Sequence, residues 1–239
     1  MSFFVSSMRA LMPAAALVSM ALAGTTASAA ALTEGFDVVP VAGWTTVNNS
    51  TTVGSTGWFQ GEPTVFPAQA GLATSYVAAN NNNTAGASTI SNWLISPTLT
   101  FNNGDVVSFY TRTDQNPTEF PDRLELRFSN VGGIDVGNTD TSVGTFSLLL
   151  LSVNPGLTAS GYPNTWTQFS SAISGLGGPT NAAIAFRYFV TDGGPDGANS
   201  SYIGIDTLSI APVPEPAAYL MLMLGLGVIA LRRLSAGQA

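Results

Sequence analysis

The 239-residue sequence contains no cysteine, no histidine and no lysine, so all seven of its basic residues are arginine. The absence of histidine excludes a Ser-His-Asp triad, and the absence of both cysteine and histidine excludes an ordinary zinc site. Without lysine there is neither a P-loop nor a Schiff base. An enzyme built on this chain would depend on carboxylates, hydroxyls, arginine and a hard metal ion. We therefore expect no catalytic residues and no enzymatic activity.

Positive charge is scarce as well. Between the two terminal segments, the sequence has four arginines and thirteen acidic residues, a formal charge of −9. An acidic surface repels phosphate backbones, which argues against nucleic acid as a partner. The balance fits a secreted protein or one that binds divalent cations. The lack of cysteine does not identify a compartment, because oxidising environments permit disulfides without requiring them.

Residues 1–29 have the three parts of a secretory signal peptide. Arg9 provides the positive region, Ala10 to Ala23 form the apolar region, and Ala27-Ser28-Ala29 is a small-residue cleavage site. We therefore predict an N-terminal signal helix that is recognised by the Sec machinery and cleaved once, at the site formed by Ala27 and Ala29.

Residues 30–212 form the predicted folded domain, which is rich in Gly, Asn, Ser and Thr. Its apolar residues occur in short runs separated by turn-forming residues, which predicts an all-β domain. The clearest strand is Asp122 to Ser129, in which leucine and phenylalanine alternate with charged residues. This alternation predicts one buried and one solvated face, with Glu125 as an ordinary solvated charge.

Several more strands are predicted. Phe146 to Val153 is almost continuously apolar, which is typical of a strand covered on both sides, and Tyr202 to Ala211 is predicted to contain a bulge near Asp206. Many strands of modest length predict an antiparallel two-sheet sandwich of jelly-roll type, with an immunoglobulin-like topology as the alternative. The remaining predicted strands are Gly35 to Val39, Thr56 to Gln60, Leu72 to Ala78, Thr89 to Ser96, Val106 to Arg112, Thr165 to Phe169 and Ala183 to Thr191.

A set of short motifs in this domain resembles the choice-of-anchor J domain, a jelly-roll module related to cleaved-adhesin and MAM-like domains. The resemblance covers nearly the whole domain and depends on the order of the motifs. In chain order they are Gly35-Phe36-Asp37, Gly43-Trp44, Trp58, Asn92-Trp93-Leu94-Ile95-Ser96-Pro97, Asp122-Arg123-Leu124-Glu125-Leu126, Phe128-Ser129, Trp166, Phe186-Arg187-Tyr188 and Ile203-Gly204-Ile205-Asp206.

The C-terminal residues 213–239 combine a proline-rich spacer, an apolar segment and two positive charges. As a helix, residues 217–231 would rise only about 22 Å, whereas a bilayer core is about 30 Å thick. A transmembrane helix this short is suited to holding the chain in the membrane transiently. The arginines are expected to stay on the cytoplasmic side. The segment resembles the PEP-CTERM sorting signal, which implies processing by an exosortase. The residues that carry the resemblance are Val213, Pro214, Glu215, Pro216, Arg232 and Arg233.

Two kinds of ligand site are predicted in the domain. Glu34, Asp37 and Asp206 form a candidate calcium site, because the first and last strands of jelly rolls often lie close together and related adhesin modules bind calcium. The alternative is that Asp37 and Asp206 only cap turns or accept backbone hydrogen bonds. Trp58 is a candidate for stacking on a sugar ring, the alternative being that the tryptophans pack in the core.

The sequence therefore predicts an exported protein that passes through an inner-membrane intermediate to the cell surface or extracellular matrix. We expect a non-catalytic structural or adhesive component of the envelope or exopolysaccharide matrix. One alternative is a lectin-like carbohydrate-binding module. The other is a carboxylate-dependent glycoside hydrolase that uses the clustered acids Asp114, Glu119, Asp122 and Glu125.

Overall fold

The structure, a computed structural model, describes residues 31–114, 119–212, 223–227 and 229. Thirteen β-strands and one 3-10 turn, Asn81–Asn83, make up the described domain. The strands are β1 Leu32–Glu34, β2 Thr45–Asn48, β3 Thr51–Val53, β4 Phe59–Gln60, β5 Val77–Asn80, β6 Thr84–Ile95, β7 Leu99–Phe101, β8 Val106–Thr113, β9 Leu124–Ser129, β10 Leu148–Val153, β11 Thr167–Ala172, β12 Thr180–Gly193 and β13 Tyr202–Ala211.

The strands form two antiparallel sheets. The six-stranded sheet has the order β11-β8-β13-β5-β4, with β1 also paired to β13. The seven-stranded sheet has the order β10-β9-β12-β6-β2, with β3 paired to β6 and β7 paired to β12. The predicted all-β, two-sheet sandwich is therefore confirmed.

The main core lies between the inner faces of the two sheets. Alternation along β12 directs Ile184 and Phe186 into this core, and Ala183 and Ala185 to the opposite face. Phe186 meets Phe109 of the other sheet with ring centroids 4.8 Å apart. Burial of such large apolar side chains on folding is the dominant stabilising term for a sandwich of this size.

The outer faces of both sheets are covered as well. On the seven-stranded sheet, Val136 and Phe146 from the loop between β9 and β10 pack on Trp93 of β6. On the six-stranded sheet, Phe66 from the loop between β4 and β5 packs in an aromatic cluster with Tyr76 and Trp166. A Cβ added to Gly204 would lie 2.9 Å from the rings of Phe66, Tyr76 and Trp166, so this position of β13 needs glycine. Loops thus bury faces that alternation alone would leave in solvent.

Most predicted strands are found, and β13 has the predicted bounds of Tyr202 and Ala211. The register of β13 against β8 shifts between Asp206 and Ser209, which confirms the predicted bulge. The interpretation of Phe146 to Val153 is wrong, because β10 begins at Leu148 and lies at the edge of its sheet. Leu148 and Leu149 are 45% and 48% exposed there.

The first predicted strand is also misplaced. β1 is Leu32–Glu34, whereas residues 35–39, predicted as a strand, are not extended in a sheet, and residues 37–39 form bends. Phe36 has a φ of 53°, which is incompatible with an extended strand. Buried Phe36 therefore turns the chain away from β1 and towards the core.

The predicted terminal segments lie mostly outside the described residues. This applies to the signal peptide, including Ala27 and Ala29. For the predicted transmembrane helix over 217–231, residues 223–227 and 229 are described, and they are helical. Among the described residues, no helix combines the length and apolarity that crossing a membrane requires.

Candidate functional site

The three predicted calcium ligands line one pocket. It lies where β1, the turn that follows it and the bulge of β13 meet, and its volume is about 520 Å³. The antiparallel pairing of β1 with β13, which sets Glu34 opposite Leu208, brings Glu34 next to the bulge. Asp37 follows on the turn, and Asp206 enters from β13. We call this pocket, with Glu34, Asp37 and Asp206 in its lining, the acidic pocket.

Asp206 is fully buried and its carboxylate is saturated with hydrogen bonds. Oδ2 accepts from the backbone N–H groups of Gln69 and Ala70 at 2.8 and 3.1 Å. Oδ1 accepts from the backbone N–H and the hydroxyl of Thr207 at 2.5 and 3.2 Å. Burial raises the pKa of Asp206, and these hydrogen bonds oppose the rise. Asp206 therefore fixes the loop at residues 69–70 to the bulge.

Glu34 and Asp37 retain more capacity for a ligand. Glu34 Oε1 accepts the backbone N–H of Phe36 at 2.8 Å. Within the described ranges, neither Glu34 Oε2 nor the exposed Asp37 carboxylate has a hydrogen-bond donor. Oxygen ligands of this kind suit Ca²⁺, which takes six to eight of them. No set of three acidic side chains among the described residues is already gathered at metal-binding distance, so calcium binding stays a prediction.

Trp58, the predicted sugar-stacking residue, is only 8% exposed and belongs to the main core. A ring in this position has no open face for a sugar, so its location agrees with the core alternative. Its indole nitrogen, Nε1, is buried and has no hydrogen-bond partner among the described residues. The sorting residues Val213, Pro214, Glu215, Pro216, Arg232 and Arg233 lie outside the described residues.

The prediction that Glu125 is solvated is wrong. Glu125 is fully buried on the outer face of the seven-stranded sheet, where three of the domain's four arginines surround it. Arg123 pairs with Oε1, and Arg127 and Arg187 lie 2.6 and 3.4 Å from Oε2. We call these four residues the arginine cluster. The one signal in the sequence was the alternation Arg123-Glu125-Arg127, which begins at the residue before β9 and sets three charges side by side.

Arg187 links the arginine cluster to the loop above it. Its guanidinium lies 3.7 Å from the centre of the Phe189 ring and donates a hydrogen bond to the backbone oxygen of Asp140. The pKa of Arg187 is lowered to about 10, chiefly by burial; the like charges of Arg127 and Arg123 also lower it, and Glu125 opposes the fall. The group still stays protonated at neutral pH.

Asp122, a candidate acid in the hydrolase alternative, is buried. It accepts hydrogen bonds from the Thr113 hydroxyl at 2.5 Å, the Tyr188 hydroxyl at 2.5 Å and the Ser201 N–H at 2.9 Å. Burial raises its pKa from 3.8 to about 6, and the three hydrogen bonds oppose the rise. Because its oxygens are engaged by protein donors, this geometry favours a structural role.

Comparison with known proteins identifies the sorting signal and the fold. Residues 212–234 match the PEP-CTERM protein-sorting motif, and no curated protein matches the chain. The K1 cleaved adhesin domain of Lys-gingipain from Porphyromonas gingivalis W83 aligns with a TM-score of 0.53 and 22% identity, covering 77% of this chain and 99% of that domain. The K2 cleaved adhesin domain of Lys-gingipain aligns with a TM-score of 0.50 and 17% identity, covering 76% and 99%.

These findings confirm the PEP-CTERM motif and a fold like that of the cleaved adhesin domains. The motif implies export and sorting to the cell surface. At identities of 22% and 17%, the structural likeness shows the fold alone.

Proposed function

We propose that this protein is a non-catalytic structural or adhesive component of the cell envelope or exopolysaccharide matrix, sorted by an exosortase. The observation that carries the proposal is the PEP-CTERM motif at residues 212–234, directly after a β-sandwich domain. In this proposal the Sec machinery exports the chain, and the C-terminal segment holds it at the inner membrane. The exosortase then cuts beside Pro214 to Pro216 and delivers the domain to the surface or matrix.

Two observations support a non-catalytic role. The sequence has no histidine, cysteine or lysine to serve as a base or nucleophile. Among the clustered acids, Asp122 and Glu125 are buried and bound to protein partners, which leaves them poorly placed to reach a polysaccharide.

Intact-mass analysis of the surface fraction of the native host tests the proposal. We expect a chain that begins near Ala30 and ends near Pro216. A Glu215→Ala variant should accumulate uncut in the membrane fraction, because it removes the charge between the two prolines. Asp196→Asn, which removes a charge outside the motif, should be processed normally. Surface protein that still carries Arg232 and Arg233 would contradict the proposal.

A further inference from the structure

A second pocket lies where the loop between β9 and β10 meets the turn between β2 and β3. Its volume is about 530 Å³, within the range of about 300–1,000 Å³ that is typical of small-ligand sites. Residues 48–51 and 53 form one wall, and residues 138–140 form the other. We call this pocket the polar cleft, because its side chains are amides, hydroxyls and one carboxylate, with a single aliphatic residue, Val53.

Hydrogen bonds fix the two walls of the polar cleft to each other. Asn49 Nδ2 donates to the backbone oxygen of Gly137 at 2.9 Å, and the Thr51 hydroxyl donates to Asp140 Oδ2 at 2.8 Å. From beneath, Arg187 donates to the backbone oxygen of Asp140. The loop is held by its own contacts as well, including the bond from Thr139 N to Ser142 Oγ at 2.7 Å. The cleft is thus formed before a ligand arrives, which lowers the entropy cost of binding.

Both walls also present polar atoms that the protein does not use. Within the described part of the chain, Asp140 Oδ1, Asn49 Oδ1 and the Asn138 side-chain amide have no hydrogen-bond partner. Together they supply strong acceptors and an amide donor from opposite sides of one cleft. Neighbouring hydroxyl groups on a sugar ring, each both donor and acceptor, match this set.

We infer that the polar cleft binds a neutral sugar chain. Asp140 is the one charged residue of the lining, so it repels carboxylate- or sulfate-bearing ligands. The single carboxylate also supplies little of the negative ligand charge that strengthens calcium binding. Val53, which is 57% exposed, offers an aliphatic contact for the C–H face of a ring. The inference names a ligand class for the proposed adhesive role and rests on that role for its biological meaning.

The test uses the full-length protein, purified in a detergent without a sugar headgroup because such headgroups would compete for the cleft. The protein is applied to an array of neutral and uronic-acid-containing oligosaccharides. We expect retention of neutral oligosaccharides alone. Asp140→Asn should weaken binding of the retained oligosaccharide about tenfold or more, because it replaces a charged acceptor. Asn138→Ala should weaken it about threefold to tenfold.

Asp196→Asn is the matched control, because it removes the same charge from an exposed position outside the cleft, and its binding should equal that of the wild type. Asn138 is exposed, so Asn138→Ala decides the question if Asp140→Asn fails to fold. The inference is overturned if no neutral oligosaccharide is retained, if uronic acids bind equally well, or if the variants that fold bind like the wild type. Binding by purified protein does not depend on export, whereas the mass analysis of processing does not depend on binding.

Discussion

Buried acidic residues have different charge-compensating partners in this protein. Glu125 faces three guanidinium groups, whereas Asp122 is surrounded by neutral hydroxyl and N–H donors. Desolvation therefore dominates at Asp122 and raises its pKa from 3.8 to about 6. A carboxyl group with a raised pKa contributes stability when it is protonated and loses that contribution as it ionises.

Asp122 consequently makes the domain more stable in mild acid than at neutral pH. Its contribution is fully present below pH 3.8, the ordinary pKa, and is lost as the pH rises through about 6. The difference between these two pKa values corresponds to about 3 kcal/mol. We expect the wild type to lose up to this much stability, relative to Asp122→Asn, between pH 4 and pH 7. Urea unfolding of both proteins at each pH measures the difference.

The test depends on how the difference in free energy of unfolding between the two proteins changes with pH. A constant loss of stability from the altered hydrogen bonds therefore does not affect it. Asp196→Asn, which replaces an exposed acid, is the control: its free energy of unfolding should change with pH in parallel with that of the wild type. A difference between wild type and Asp122→Asn that stays constant from pH 4 to pH 7 would show that Asp122 ionises normally.

At the scale of single residues, the sequence pattern grouped three acids that share a pocket, but it led to a wrong prediction for the environment of Glu125. Glu34, Asp37 and Asp206 were grouped as calcium ligands because the first and last strands of a jelly roll often lie close together; they line one pocket, and calcium binding there stays a prediction. Glu125 was assigned to solvent because alternation tells which face of a strand a side chain occupies and nothing about the loop that covers that face. The polar cleft was missed because its two walls are 85 or more residues apart in sequence.

The arginine cluster connects two strands and a loop. Glu125 lies on β9, Arg187 lies opposite it on β12, and Arg187 reaches the loop through Asp140. Removing the acid leaves three partly or fully buried positive charges without their counterion. Breaking a buried ion pair in this way typically costs about 3–5 kcal/mol. We expect Glu125→Gln to lower the free energy of unfolding by about this amount, measured by chemical denaturation at neutral pH.

Glu119→Gln provides the control for this prediction. Glu119 is exposed, so the same chemical change should alter the free energy of unfolding by less than about 0.5 kcal/mol. If Glu125→Gln were as stable as Glu119→Gln, the cluster would be held by aromatic packing of the arginines instead of by Glu125.

Strands were predicted well where local pattern decides and poorly where position in the sheet decides. β13 combines regular apolar spacing with a bulge, and its bounds were predicted correctly. β10 was expected to be covered on both sides because it is almost wholly apolar, yet it is an edge strand with Leu148 and Leu149 exposed. The apolar composition of a segment indicates that its burial would be favourable. Whether the segment is buried depends on its place in the pairing order of the sheet.

For the whole molecule, the sequence predicted two antiparallel sheets without their strand order. β12 pairs with β6, β7 and β9, which are remote from it in the chain, and β1 pairs with β13. Long-range pairing of this kind leaves no mark in a period-2 pattern. Its consequence is that the two ends of the described domain meet at the acidic pocket, where Glu34 and Asp206 lie on the first and last strands.

A cation in the acidic pocket would bind beside the point where the two ends of the domain meet, and the domain carries a formal charge of −9. Because the donors of Gln69, Ala70 and Thr207 already saturate Asp206, the carboxylates available for Ca²⁺ are those of Glu34 and Asp37. We expect millimolar calcium to raise the melting temperature of the full-length protein above its value in chelator. Such binding to the folded state stabilises by mass action, so the shift should grow with calcium concentration.

Asp37→Asn separates this site from general screening of the negative charge. Asp37 is exposed, so the substitution should leave the melting temperature in chelator nearly unchanged while it removes most of the calcium-dependent rise. Asp206→Ala is a poorer test, because it also breaks the bonds that hold residues 69 and 70. Magnesium at equal concentration controls for screening, since it prefers octahedral geometry and retains its water. Equal melting temperatures of the wild type in calcium and in chelator would contradict the prediction and leave Glu34 and Asp37 with no role in binding a metal.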